Sequence, residues 1–460
     1  MQEDNEFLGT EPVGHLLFKL AVPNVIAQIV NMLYNIVDRI YIGHIPEEGN
    51  LALTGVGVCM PIIMIVTAFA ALISSGGAPR ASIAMGSGDY DHAEKILGNC
   101  LSAQLLISAV LTISLLLWNR PLLLAFGASK NTISYASGYI SVYALGTVFV
   151  QITLGLGAFI TAQGFAKIGM MTVLIGAGLN IILDPIFIFV LHLGVRGAAL
   201  ATIVSQGISC LWVLSFLTGK QTFLKIRRCY LKISKSIIMP CITLGLATFT
   251  MQSTESIIAV CFNSSLLHYG GDIAVGAMTI LSSVMQFALL PLQGIGQGAQ
   301  PISSYNYGAG NVDRVKKTFK LLLIASMIYG FSLWGFLMAF PKIFVGIFTS
   351  NSALLEFTAP ALRIYCAALC LMSIQDSCQF SFVSTGNARC SILVAIVRKF
   401  VLLLPLIYIV PHFVTNKTLG VYLAEPIADV LAVSFTSILF YIQFNKSLKS
   451  LQQSKKVVSK

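Results

Sequence analysis

Apolar runs long enough to cross a lipid bilayer recur from one end of this 460-residue chain to the other. They fall at roughly 14–42, 51–77, 94–118, 133–160, 169–191, 197–218, 235–264, 273–297, 318–340, 354–383, 390–411 and 418–443. Hydrocarbon offers no water to peptide groups, so a segment of about twenty apolar residues must bond its own backbone as a helix. The expected fold class is an all-α polytopic membrane protein with twelve transmembrane helices. Composition agrees: 56% of residues are hydrophobic and 10% charged, where a soluble chain carries about a quarter charged. No basic segment precedes the first run and no small-residue cleavage site follows it, so it is expected to stay as an anchor.

Placement explains the net charge of +11. Assigning alternate loops to opposite sides puts about twenty of the 29 Lys and Arg on one side and about five on the other. The densest run, "GKQTFLKIRRCYLKISK" at 219–235, is cytoplasmic by the positive-inside rule, which places both termini there too. The charge therefore orients the chain in a cell membrane and does not call for nucleic acid. The ten Cys are scattered without a CxxC pair and suit packing; the six His lack metal-ligand spacing. No GxxxxGK[ST], HExxH or GxSxG motif occurs, which removes support for ATP use and for hydrolysis.

An internal repeat organises the chain. Residues 76–95, "GGAPRASIAMGSGDYDHAEK", align with residues 298–317, "GAQPISSYNYGAGNVDRVKK". Seven of the twenty positions are identical: Gly76/Gly298, Pro79/Pro301, Ser82/Ser304, Gly86/Gly308, Gly88/Gly310, Asp91/Asp313 and Lys95/Lys317. The same 222-residue shift matches Gly164/Gly386, Ala166/Ala388 and Lys167/Arg389. These matches lie in polar loops, where a bias toward Leu and Ile cannot create them. The chain is expected to form two six-helix lobes, 14–218 and 235–445, with pseudo-two-fold symmetry along the membrane normal. Residues 1–13 form a cytoplasmic N-terminal segment, 219–234 a basic linker and 446–460 a basic tail. Parallel halves around a central cavity are a transporter's plan.

Six acids lie within the spans beyond their first turn: Asp38, Asp184, Glu255, Asp376, Glu425 and Asp429. Each costs about 2.5–3.5 kcal/mol at the bilayer centre on insertion scales, so each must face a cavity, a partner or protein interior. Asn31, Tyr34, Asn35 and Asp38 follow at i, i+3, i+4 and i+7, on one helix face. Asn180 and Asp184 are one turn apart on span five, and Pro185 then frees a carbonyl; Thr202 and Gln206 open span six. Two carboxylates, an amide and a hydroxyl suit a proton or Na⁺, because hard cations take oxygen ligands. In the other half, Thr248, Gln252, Glu255 and Ser256 form a stripe, and Asp376 has Gln379 three residues on. Glu425 and Asp429 are placed to pair with Arg398 or Lys399 on the preceding span.

Three stretches together carry a resemblance: "NIVDRIYIG" in span one, "GAGLNIILDPIFIF" in span five and "GQGAQPISSYNYGAGN" after span eight. The chain resembles the multidrug and toxic compound extrusion (MATE) family, in its DinF-like bacterial multidrug branch, over residues 14–445. The resemblance implies expulsion of organic cations and other drugs in exchange for H⁺ or Na⁺. It implies a coupling-cation site in the N-terminal half at Asp38, Asn180, Asp184 and Thr202, with Tyr34 beside it and Pro23, like Pro185, bending a helix. In NorM-like members the cation site lies in the C-terminal half; there the matching residues are Glu255 and Asp376, with Gln252 and Gln379 near them. A polar residue of span four used by some relatives has Gln151 and Thr153 as candidates.

The chemistry is consistent with that implication. An ionised carboxylate draws a lipophilic cation into an apolar cavity, and H⁺ or Na⁺ neutralises the carboxylate and releases the cation. Asp38 and Asp184 have more oxygen helpers than Glu255 and Asp376, which favours the N-terminal half for coupling and the C-terminal pair for the substrate cavity. The expected partners are small organic cations and membrane lipid, for a monomer without cofactor, ATP or catalytic residues. A lipid-linked oligosaccharide flippase would need a cavity dominated by Arg and Lys. An intramembrane enzyme would need a nucleophile paired with a base, and a channel would need a shared filter motif. For topology, Asn416→Cys is expected to react with an impermeant thiol reagent added outside intact cells, and Arg228→Cys is expected not to; the opposite pattern inverts the orientation.

Overall fold

The computed structural model describes residues 7–46, 48–349 and 351–458, and these are helical with short connections. Among them, nine helices are long and apolar enough to cross a membrane, and two bent pairs raise the count to eleven. One of the nine, Lys235–Gly308, has 74 residues, about 110 Å if straight at 1.5 Å per residue, far more than a bilayer needs. It is not straight. Gly271 sits at φ 66°, ψ −165°, a conformation open only to glycine, and divides it into 235–270 and 272–308. Twelve crossings result.

The spans are Val13–Gly43, Gly49–Gly86, Tyr90–Ala125, the pair Ile133–Leu145 and Thr147–Ala162, Ala166–Pro185 with a π-helical end to Val190, and Gly194–Thr218. The two parts of the long helix follow, then Val312–Ala339, the pair Ser352–Tyr365 and Leu369–Ser384, Ala388–His412 and Lys417–Val458. Two spans expected to be single helices are broken instead, by 57° after Leu145 and by 46° after Tyr365. The breaks are repeat equivalents. At the first, Gly146 lies so close to span six that a Cβ would stand 2.1 Å from Ile203 Cγ2. The basic tail continues the helix of span twelve as far as Val458, its last two residues lying outside the described ones.

The two halves meet through glycines. A Cβ on Gly76 would lie 1.8 Å from the Cys241 carbonyl oxygen, and one on Gly245 the same distance from that of Leu72. Spans one and eight repeat this crossing, where Gly298 faces Ala21 and Gly294 faces Val25. Spans two and eight meet at the pseudo-axis: Gly86 packs on the Tyr305 carbonyl and Gly308 on that of Ile83, with Cβ distances of 1.9 Å. Both members of that last pair are 222 residues apart, so the contact maps onto itself under the repeat found in the sequence.

This seam lies at the linker end only. One apolar cluster there joins both halves, from Leu8 and Met85 to Cys241, Ile302 and Leu322. At the other end one cluster is built from the first half alone, around Ile42, Tyr139 and Ala198, and another from the second half alone, around Phe262, Tyr365 and Tyr422. The protein is thus closed at the linker end, and its halves keep separate cores at the opposite end.

Straps reinforce the closed end. Gln163 Oε1 accepts from Thr222 Oγ1 and from the backbone of Phe223 and Leu224 at 2.8–2.9 Å, and Glu94 accepts from Lys225 N and pairs with Arg227. Asn99 and Ser102 hold the backbone of Tyr230 and Leu231. On the other half, Asn306 donates to the Leu8 carbonyl at 2.8 Å, and Arg314 donates to those of Leu8 and Glu11 at 3.1 and 2.7 Å.

Gly86→Leu or Gly308→Leu must push two backbones apart, an overpacking cost of about 1–3 kcal/mol. Each is expected to lower the melting temperature of the purified protein and speed proteolysis of the 219–234 linker. Gly57→Leu, whose Cβ would meet nothing within 4 Å, is the control expected to match wild type.

Candidate functional site

Span one carries Asp38 into the first half, where the polar faces of spans five and six meet it. Asp38, Asn180 and Asp184 are all buried. The one-turn spacing of Asn180 and Asp184 stacks their side chains, and Asn180 Nδ2 reaches both Asp184 Oδ1 and Thr202 Oγ1 at 3.4 Å. Thr202 donates its own hydroxyl proton to the Ala198 carbonyl at 3.0 Å. The carboxyl groups of Asp38 and Asp184 lie within hydrogen-bonding reach of each other, with Tyr34 beside them. Pro185 lacks an amide proton, and the helix beyond it widens into the π turns of Ile186–Val190. Pro23 is buried within span one, which runs as one helix from Val13 to Gly43.

Two tyrosines absent from the sequence expectation complete this site. Tyr139, on the bent span four, is buried beside Asp38 with its hydroxyl in reach of Thr202, and it stacks on Tyr143 at 6.2 Å. Thr153 lines a cavity of about 50 Å³ together with Asn31, Tyr34, Asn180, Thr202 and Gln206. Gln151 turns away and donates to the Val66 carbonyl.

Donors are scarce here. Asp38 Oδ1, Asn180 Oδ1, Asp184 Oδ2, Ser205 Oγ and Gln206 Oε1 are buried without a hydrogen bond. Among the described residues no Lys or Arg pairs with Asp38 or Asp184, and Arg39 is exposed. Two adjacent carboxylates among uncommitted oxygens repel when both are charged, and a proton or a small hard cation between them relieves that repulsion. The donor set fits either ion.

The second half has the opposite character. Arg398 is buried and bonded to Asp429 at 2.9 Å and Glu425 at 3.4 Å. Lys399, also buried, places Nζ 2.5 Å from Glu255 Oε1. Both cations sit on the π-helical segment Val397–Leu403. Glu255 is 54% exposed at its side chain, although the lysine that holds it is buried. The stripe that carries Cys241 and Gly245 across the seam continues through Phe249, its ring tilted against that of Phe69 at 5.0 Å, to the exposed Gln252 and Glu255. Asp376 stands near Arg398 and Lys399, while Gln379 donates to Ser391 Oγ at 2.8 Å and so points into its own half.

The MatE family model matches residues 23–186 and 247–409, once in each half. The multidrug export protein MepA of Staphylococcus haemolyticus (strain JCSC1435) is 25% identical over 420 residues, covering 91% of this chain and 92% of that protein. MepA of Staphylococcus aureus (strain NCTC 8325 / PS 47) is 24% identical over 398 residues, 86% of this chain and 87% of that one. Among solved structures, an outward-facing multidrug resistance MATE family transporter of the MOP superfamily superposes with a TM-score of 0.89 at 24% identity. A MATE in complex with MaD3S does so at 0.90, also at 24%. Each structure covers 98% of this chain, and the chain covers 99% of each. The fold is theirs.

Removing one partner from a buried ion pair strands the others, at about 3–5 kcal/mol. Arg398→Met is therefore expected to cut the yield of monodisperse protein sharply. The triple change Arg398→Met, Glu425→Gln, Asp429→Asn is expected to recover most of it, as read by size-exclusion profile and melting temperature.

Proposed function

This chain belongs to the MatE family, and we propose on that footing that it exports organic cations and other drugs by exchange for H⁺ or Na⁺ through alternating access. It is a membrane transporter of that family and not an enzyme. The observation that carries the exchange reading is the pair Asp38 and Asp184, adjacent, buried, without a cationic partner and ringed by unbonded oxygens. Such a pair holds one proton or Na⁺ more readily than none, and its occupancy changes the charge seen by a bound cation.

The coupling site in this reading is Asp38, Asn180, Asp184 and Thr202, with Tyr34 and Tyr139 as hydroxyl neighbours. Glu255, Asp376 and Gln252 belong to the substrate side, and Gln379, bonded to Ser391 inside its own half, stands apart from them. The chain works as a monomer of two lobes, 14–218 and 235–445, with both termini and the 219–234 linker in the cytoplasm. Closure at the linker end fits the state that faces away from the cytoplasm, in which drug leaves and the coupling ion enters. A ligand indifferent to the two states moves nothing, so the ion must favour one and the drug the other.

Asp38→Asn and Asp184→Asn keep the shape of the site and remove its titratable charge. Each is expected to reduce ethidium efflux from energised cells to the level of cells lacking the protein, at unchanged expression. In detergent, a rise in H⁺ or Na⁺ is expected to release bound ethidium from wild type and from Glu255→Gln, but not from Asp184→Asn. Normal efflux by both aspartate variants overturns the assignment; loss of ion-triggered release only in Glu255→Gln and Asp376→Asn moves the coupling site to the second half.

A further inference from the structure

The intramembrane acids of the second half outnumber the cations set among them. Glu255, Asp376, Glu425 and Asp429 share Arg398 and Lys399, and Arg398 is already committed to Glu425 and Asp429. Asp429 Oδ2 is buried without a hydrogen bond inside this cluster. Among the described residues Lys399 alone forms an ion pair with Glu255, and the two differ in setting: Lys399 is 5% exposed and the carboxylate it holds is 54% exposed. Its ammonium thus reaches Glu255 from the protein interior, and the acid is open on its other side.

Resting on the transport reading above, we propose that Lys399 is a tethered surrogate for the substrate: its ammonium occupies Glu255 in the drug-free protein and is displaced by the organic cation that Glu255 then binds. A fixed buried ion pair resists exchange, because removing one partner leaves a bare charge in a poor solvent. That obstacle is absent here. Lys399 also interacts with Glu425 and Asp376, so an ammonium released from Glu255 moves toward carboxylates that are under-neutralised rather than toward hydrocarbon. The long flexible stem of lysine and its point charge suit such a swing, where the planar fork of arginine does not. The backbone at this point is wide: Lys399 lies in the seven-residue π-helical stretch Val397–Leu403, a form that concentrates at functional sites.

The device sets specificity. A ligand must carry a positive charge that competes with an ammonium at 2.5 Å, so neutral amphiphiles gain nothing from Glu255. It also keeps Glu255 neutralised while no drug is present, so that the half-open acid does not hold water or metal ions in its place.

Ethidium binding to the purified full-length protein tests this by fluorescence anisotropy, with wild-type elution and melting behaviour required of each variant. Lys399→Gln removes the competitor and is expected to tighten ethidium roughly tenfold, within the usual range for coupled sites. Lys399→Arg, which grips Glu255 through two parallel hydrogen bonds, is expected to weaken it several-fold. Adding Glu255→Gln to Lys399→Gln is expected to abolish the gain. A second reading needs no drug: modification of Glu255 by a hydrophobic carbodiimide, followed by mass spectrometry, is expected to rise several-fold in Lys399→Gln. Unchanged or weaker ethidium binding in Lys399→Gln overturns the proposal, and so does unchanged carbodiimide modification. Wild-type protein that binds no ethidium counts against the transport reading instead, and the carbodiimide result then decides Lys399 alone.

Discussion

Two helices inside a membrane gain nothing from hiding apolar side chains from lipid that is equally apolar, so what holds the halves together is contact at close range. Here that contact is backbone on backbone. Gly76, Gly86, Gly245 and Gly308 each lie against a carbonyl of the opposite half, close enough that a methyl group would overlap it. At this distance dispersion is strong and Cα–H···O contacts add to it. Because Gly86 meets Tyr305 as Gly308 meets Ile83, the crossing is self-complementary under the internal repeat. The seam fixes where the halves touch, and with it where they are free to part and where Glu255, the one acid of span seven, lies exposed.

Charge then distinguishes two halves that share one plan. The first half sets two buried carboxylates, Asp38 and Asp184, among neutral oxygens, and it leaves one oxygen of each carboxylate and three of the neutral ones unbonded. The second half buries Arg398 and Lys399 among four carboxylates. With Pro185 set on Pro405, two residues short of the 222-residue shift, "LDPIFIFVLH" around Asp184 lines up with "LLPLIYIVPH" ending at His412, so the acid of the first half has a leucine, Leu404, in its place. Loss of one acid and gain of two bases on span eleven turn an ion-binding face into a salt-bridged one.

Much of this was legible in the sequence, because the bilayer makes demands that composition must meet. Span lengths, the repeat and the stacking of Asn180 on Asp184 each follow from a fixed period or a fixed thickness. The pairing of Arg398 with Glu425 and Asp429 was legible as well, since adjacent spans must neutralise each other's charges. What stayed hidden depends on contacts distant in sequence. Lys399 meets Glu255 across 144 residues, and no helical period links them. Tyr139 and Tyr143 sit one turn apart among apolar neighbours, a pattern that ordinary packing produces just as often. The breaks after Leu145 and Tyr365 were hidden for another reason: a bent span and a straight one have the same hydropathy, and only the near contact of Gly146 with span six marks the first.

The straps at the closed end cross over. The segment leading into span one, Phe7 to Glu11, is held by Asn306 and Arg314 of the second half, and the linker leading into span seven is held by Glu94, Asn99 and Gln163 of the first. Neither half therefore carries a latch that it can open by itself. Any parting of this end pulls on both straps at once, and the release of either slackens the chain that loads the other. Each half thus has the entry of its first span tied to the body of the other half, so the restraints on this end are shared and belong to neither half alone.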